Sequence, residues 1–248
     1  MTVSRSEVVW GQLAEHAAAH GARISVADVC AVAAGSAQLS GAWVAAALNG
    51  EPDFAMYVTD LVCEQLAEVQ LTLGEGPCHD ALASAAPVLA PDLADAQAGR
   101  RWPAFTPEAR ELGAEAVFAF PLIVGAIRPG VMGLYRRSAG PLLDGQLGNL
   151  LILADVATLM LLNGADGPSG QGDGAGLDGQ SPGLAQHRAE IDQATGMLTV
   201  QLGVPVAEAF LRLRTYAYAQ DRRLADVASD IVARRLRLHP DAVQDGEL

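Results

Sequence analysis

Two tyrosines and two arginines crowd into YAYAQDRRLADVA, Tyr216 to Ala228, just ahead of an apolar helical pattern. Arg212 stands four residues before Tyr216, and Arg214 four before Tyr218, so on a helix each pair shares one face. Guanidinium groups meet phosphates and a tyrosine ring stacks on an unpaired base, which is the chemistry of holding a looped nucleic acid. The same pairs also suit a plainer purpose, in which arginine stems cover a helical bundle and a tyrosine joins its core. Arg222 and Arg223 are the sharper candidates, because they open a helix at the end where the macrodipole disfavours cations. Arg234, Arg235 and Arg237 would close that helix, where the dipole alone favours them by about 0.3 to 1 kcal/mol. Arg214 and Arg188 rank behind the opening pair.

Elsewhere the reactive residue types lack the company that catalysis needs. Gly74-Glu75-Gly76-Pro77 has neither the Lys-Ser/Thr nor the further glycines of a nucleotide-binding loop, and reads as a turn before a helix. Cys78 and His79 are adjacent, but such a pair falls short of the four ligands zinc wants, so no metal is expected. His16, His20, His187 and His239 are scattered, with no nucleophile or carboxylate pair in a recognisable arrangement, and are assigned surface or capping roles. Trp102, Phe105 and Cys78 make a weak candidate for a small-molecule pocket over a sheet, against the alternative that they are core. No cofactor is implied, any ligand is unidentified, and the chain is not expected to be an enzyme.

Charge separates one segment from the rest. The 248 residues carry a formal net charge of −13, and all sixteen basic residues are arginine. Residues 184–239 hold eight arginines against six acids, a net of +2, whereas residues 1–183 hold eight against twenty. Basic character is therefore local, as expected if that segment alone meets a polyanion. Half the residues are hydrophobic, enough to bury a core. Cys30, Cys63 and Cys78 have neither disulfide nor zinc spacing and read as core thiols of a reducing compartment. The N-terminus lacks the apolar core of a signal peptide, so a cytoplasmic protein is expected. The run Leu147 to Leu162 is shorter than the roughly 20 residues that span a bilayer and contains Asp155, so it reads as a buried or partner-packed helix rather than a membrane segment.

These residues need elements to hold them. Apolar runs bounded by turn residues predict strands at Gly41–Leu48, Phe54–Val58, Ala86–Pro91, Ala116–Val124 and Gly130–Arg136. Helical spacing appears near residues 5–19, 26–34, 60–70, 104–112 and 143–162. The mixture predicts an α+β domain over residues 1–163 with a mainly antiparallel sheet and flanking helices. Residues 164–183, rich in Gly, Pro, Ser and Asp, read as a flexible linker. Three amphipathic helices follow over 184–239, the last read as running to Leu238, and residues 240–248 form an acidic tail.

With these elements in place, IDQATGMLTVQLGVPVAEAFLRLRTYAYAQDRRLADVA resembles the ANTAR domain, the RNA-binding module of bacterial antitermination regulators. The matching residues are Ala194-x-Gly196, Ala209-Phe210 with Leu213-Arg214, and Arg223-Leu224 with Val227-Ala228. Upstream, EVQLTLGEGPCHDAL, PVLAPDL, RWPAF and FPLIVGAIRPGVMGLY are similar to the GAF domain of actinobacterial GAF-ANTAR regulators. Together the resemblances span roughly residues 25–238. They imply a GAF-like sensory or dimerising domain and an all-α three-helix ANTAR bundle that binds paired RNA hairpins, acting as a homodimer, with a small-molecule effector possible and no catalytic step. Thr195 stands where similar domains carry Lys or Arg, which removes a phosphate contact. The glycine-rich linker favours tethering over signal passage through a rigid helix. Two other readings stay open: a ligand-binding or protein-interaction regulator that has lost RNA binding, and a DNA-binding regulator built on the Gly203-Val204-Pro205 turn.

Overall fold

A computed structural model of the chain describes residues 4–20, 23–48, 50–165 and 182–238. The linker expected at 164–183 and the acidic tail at 240–248 fall almost wholly outside these residues. The chain divides into two compact units, one within Met1–Ser181 and the other within Pro182–Leu248.

The first unit begins with two helices whose starts are written in the sequence. In α1 (Arg5–Ala19), Ser4 and Glu7 form a capping box, and Ser25 and Asp28 do the same for α2 (Val26–Ser36). Strands β1 (Gly41–Leu48) and β2 (Glu51–Val58) pair antiparallel. Next come α3 (Leu61–Leu73), capped by Asp60 and closed by left-handed Gly74, and α4 (Pro77–Ser84), with proline in its first turn. Strand β3 (Val88–Ala90), short helices α5 (Ala96–Arg101) and α6 (Phe105–Glu111), strands β4 (Ala116–Val124) and β5 (Ile127–Arg136), and the long α7 (Asp144–Ala165) complete the unit.

The five strands form one antiparallel sheet in the order β2-β1-β5-β4-β3. Val44, Phe118, Phe120, Met132 and Leu134 point into a core shared with α1, α2 and α7. Their neighbours Trp43, Ala45, Val117, Ala119, Val131 and Tyr135 point into a second core, on the side of α3, α4 and α6. Both faces are thus buried, which is why the strands read as unbroken apolar runs. Gly133 lies opposite Trp43, and a Cβ there would sit 2.1 Å from the indole ring. Helix α7, at 22 residues, is longer than the apolar run in the sequence suggested. By length and composition it is long and apolar enough to cross a membrane, but Leu150, Leu153, Val156, Ala157 and Leu161 are buried in the first core, as in the core helix of an α+β unit.

The second unit is three helices, α8 (Pro182–Leu202), α9 (Val206–Ala219) and α10 (Leu224–Val232). Ile191, Ala194 and Leu198 of α8, Leu213 and Ala217 of α9, and Val227, Ala228 and Ile231 of α10 are buried. Gly203, at φ +67°, ends α8 and sends its amide to Thr199 O at 3.0 Å. The third helix is shorter than the sequence predicted. It stops at Val232, Arg234 takes a left-handed φ of +58°, and the amides of Arg234 and Arg235 fold back on Ile231 O and Asp230 O.

Candidate nucleic-acid interface

The arginines of the bundle are placed by α9 and by the two ends of α10, and most have partners inside the chain. Arg212 donates to Glu208 Oε1 at 2.7 Å, one turn back on α9. Arg214 lies over the Phe210 ring, 5.7 Å from its centroid. Tyr216 is half-buried, while Tyr218 is 58 % exposed. Each Arg–Tyr pair does lie on one helix, but Arg212 is committed to Glu208, so the arginine–tyrosine surface is only partly assembled. Arg188 stands 3.9 Å from Asp192, a loose surface pair.

Arg222, a candidate because the helix dipole gives no reason for a cation at the start of α10, has a reason inside the chain. Its Nη2 donates to Asp230 Oδ2 at 2.6 Å, and Arg235 Nε donates to Asp230 Oδ1 at 2.7 Å. One carboxylate therefore ties the approach to α10 to the segment beyond its end, and the two guanidiniums hold the Asp230 carboxyl below the usual carboxylate range. Arg223 is the half-buried N-cap residue of α10, not part of its first turn. Because α10 ends at Val232, Arg234, Arg235 and Arg237 lie past the helix rather than in its last turn.

That early stop opens a groove of about 710 Å³ between α8 and the segment after α10. Gly196, Met197, Val200 and Gln201 line one side, and Arg234 and Arg237 the other. Gln201 Nε2 donates to Leu238 O at 2.5 Å and fixes the width. Val200 is 86 % exposed. Gly196, in mid-helix, has no atom within 4 Å of where its Cβ would be, so neither packing nor a positive φ asks for glycine there. Among the described residues neither Arg234 nor Arg237 makes an ion pair. The sequence reading missed this groove, because it treated both arginines as closing a longer helix. Thr195 also differs from expectation: it is buried, with Oγ1 donating to Ile191 O at 2.8 Å. Its side chain faces the bundle interior, so it leaves no gap in a phosphate-facing surface.

In the first unit, the residues named for a ligand pocket are packed as core. Cys78, Trp102 and Phe105 are buried members of one apolar cluster, with the two rings edge to face at 6.4 Å. Burial pushes the Cys78 thiol up to about 12, so it is no thiolate at neutral pH. The polar residues of the neighbouring motif are spent on local structure. Glu75 Oε1 accepts the amides of Ala104 and Phe105 at 2.7 and 2.8 Å, at the start of α6. Gln70 Oε1 accepts the Cys78 amide at 2.8 Å, and His79 reaches Gln70 O and Glu51 Oε2. This is a set of helix caps and not a phosphate cradle.

Residues 184–232 match the family model of the ANTAR domain. No curated protein matches the chain at a significant level. Among solved structures, the chain is similar to the GAF domain of an Acinetobacter phosphoenolpyruvate-protein phosphotransferase, at 11 % identity and a TM-score of 0.49, over 66 % of this chain and 98 % of that one. It is similar also to the GAF domain of a Coxiella burnetii phosphoenolpyruvate-protein phosphotransferase, at 15 % identity and a TM-score of 0.48, over 63 % and 94 %. A GAF domain/HD domain protein from Geobacter sulfurreducens gives 15 % identity and a TM-score of 0.42, over 58 % and 97 %. At TM-scores under 0.5 these likenesses carry no inference about function.

Proposed function

We propose that this chain, a regulator that carries an ANTAR domain at residues 184–232 behind a GAF-like α+β unit, binds hairpin RNA through its helical bundle and acts in transcription antitermination. The observation that carries the reading is the groove beside α8, where two arginines unpaired among the described residues face an open glycine backbone. A phosphate backbone approaches main chain most closely where no Cβ stands, and guanidiniums across the groove would pair with its oxygens. Arg223, Arg214 and Tyr218 extend the same reading to the outer side of α9 and the start of α10. Dimerisation, a small-molecule effector for the GAF-like unit and a cytoplasmic location belong to it as well.

A second reading has its own observation. Arg212, Arg222 and Arg235 are all held by acids within the bundle, which reduces the free positive charge and suits a protein-interaction module that has lost RNA.

Binding of the full chain to an RNA with two adjacent hairpins, titrated at two salt concentrations against duplex DNA, decides between them. RNA-selective, salt-sensitive binding is expected. Arg234→Ala with Arg237→Ala should weaken it and lower the slope of log K against log salt by about 2. Salt-insensitive or absent RNA binding favours the interaction module, and tighter binding to duplex favours a DNA regulator.

A further inference from the structure

Near the end of α1, two histidines one turn apart meet a buried carboxylate of α2. His16 and His20 share a face of the helix, with ring centroids 5.2 Å apart. Asp28 is the third residue of α2. Its Oδ2 accepts the Ser25 amide and hydroxyl at 2.8 and 2.7 Å, which fixes the carboxylate's orientation. Its Oδ1 faces His16 Nδ1 at 2.7 Å. One ring nitrogen from each histidine and one Asp28 oxygen all lie within 4.8 Å of one another. We propose that His16, His20 and Asp28 form a binding site for a divalent transition-metal ion of the zinc class at the junction of α1 and α2.

The donor set selects the ion. Two imidazoles and one carboxylate suit zinc, cobalt, nickel or copper, whereas magnesium and calcium take oxygen ligands. Three protein ligands leave a fourth position for water. Bonds of about 2.0 to 2.2 Å in a tetrahedral site put neighbouring donors roughly 3.3 Å apart, so an entering ion replaces the 2.7 Å His16–Asp28 hydrogen bond, opening that pair slightly, while the wider separations close. His20 can supply that movement, because it is exposed at the C-cap of α1 and among the described residues its ring bonds only His16 O, at 3.1 Å, through Nδ1. Asp28 is held in orientation by the Ser25 bonds to its other oxygen, the outer support that metal-ligating carboxylates require. A plain His16–Asp28 ion pair would clasp the two helices with one imidazole; the second histidine on the same face completes a chelate. Bound metal would tie the end of α1 to the start of α2. The inference stands apart from the RNA reading.

Metal-stripped full-length protein titrated with cobalt(II), read by visible absorption, and then with zinc(II) to displace it, tests the site. One ion per chain is expected, with affinity about tenfold or more weaker in His16→Ala and in His20→Ala, and unchanged in His187→Ala. His20→Ala removes an exposed side chain, so its fold, checked by circular dichroism, should survive. Absence of stoichiometric binding by the parent chain, or parental affinity in either of the two histidine variants, overturns the proposal.

Discussion

Arg234 holds a backbone conformation that suits glycine better, at φ +58°, and a non-glycine residue there costs about 1 to 2 kcal/mol. A side chain kept at that cost must return something that glycine would not. The groove supplies a reason, because the left-handed turn is what sends Arg234 and Arg237 back toward Gly196 instead of onward along a helix. Arg234→Gly should therefore raise the stability of the bundle by about 1 kcal/mol in a urea titration, yet weaken RNA binding. A variant that gains stability and keeps full RNA affinity would remove Arg234 from the interface. Asp230 has the opposite character: it pairs two surface cations, Arg222 and Arg235, to close the ends of α10.

At the scale of elements, α6 depends on a residue far away in sequence. Glu75 accepts two amides at its start, so Glu75→Ala should destabilise the first unit by about 1 to 2 kcal/mol, measured as a lower urea midpoint. Glu75→Gln, which keeps an acceptor oxygen, should lose less. Many elements were legible from the sequence for definite reasons: β1 and β4 are apolar on both faces, and α1 and α2 carry apolar residues three and four apart. Helix α5 was not, being six residues with two arginines and one buried alanine. The start of β5 was misread because Arg128-Pro129-Gly130 looks like a turn, while the hairpin turns at Gly125, with Val124 paired to Ile127. The end of α10 was misread because its stop is an arginine, a residue that carries no stop signal. The groove went unseen with it, and the approach of Asp28 to His16 across the α1–α2 connection leaves no mark in residue spacing.

Across the whole molecule, the basic segment is attached to a strongly acidic remainder, with twenty acids against eight arginines in residues 1–183. Net negative charge opposes the approach of any polyanion at low salt, and added salt screens it. Residues 182–248 alone should then bind RNA more tightly than the full chain at low ionic strength, with the gap closing as salt rises. A gap that persists at high salt would point to direct occlusion instead of field. The cysteines carry a last consequence of the fold. Cys30, Cys63 and Cys78 are all buried in the first unit, burial raises each thiol's pKa, and the second unit contains no cysteine. An alkylating reagent will therefore react only when the α+β unit opens. The chain carries its own clock for one half of itself: the rate of thiol modification reports the opening of the α+β unit in the intact protein, whatever the bundle is doing.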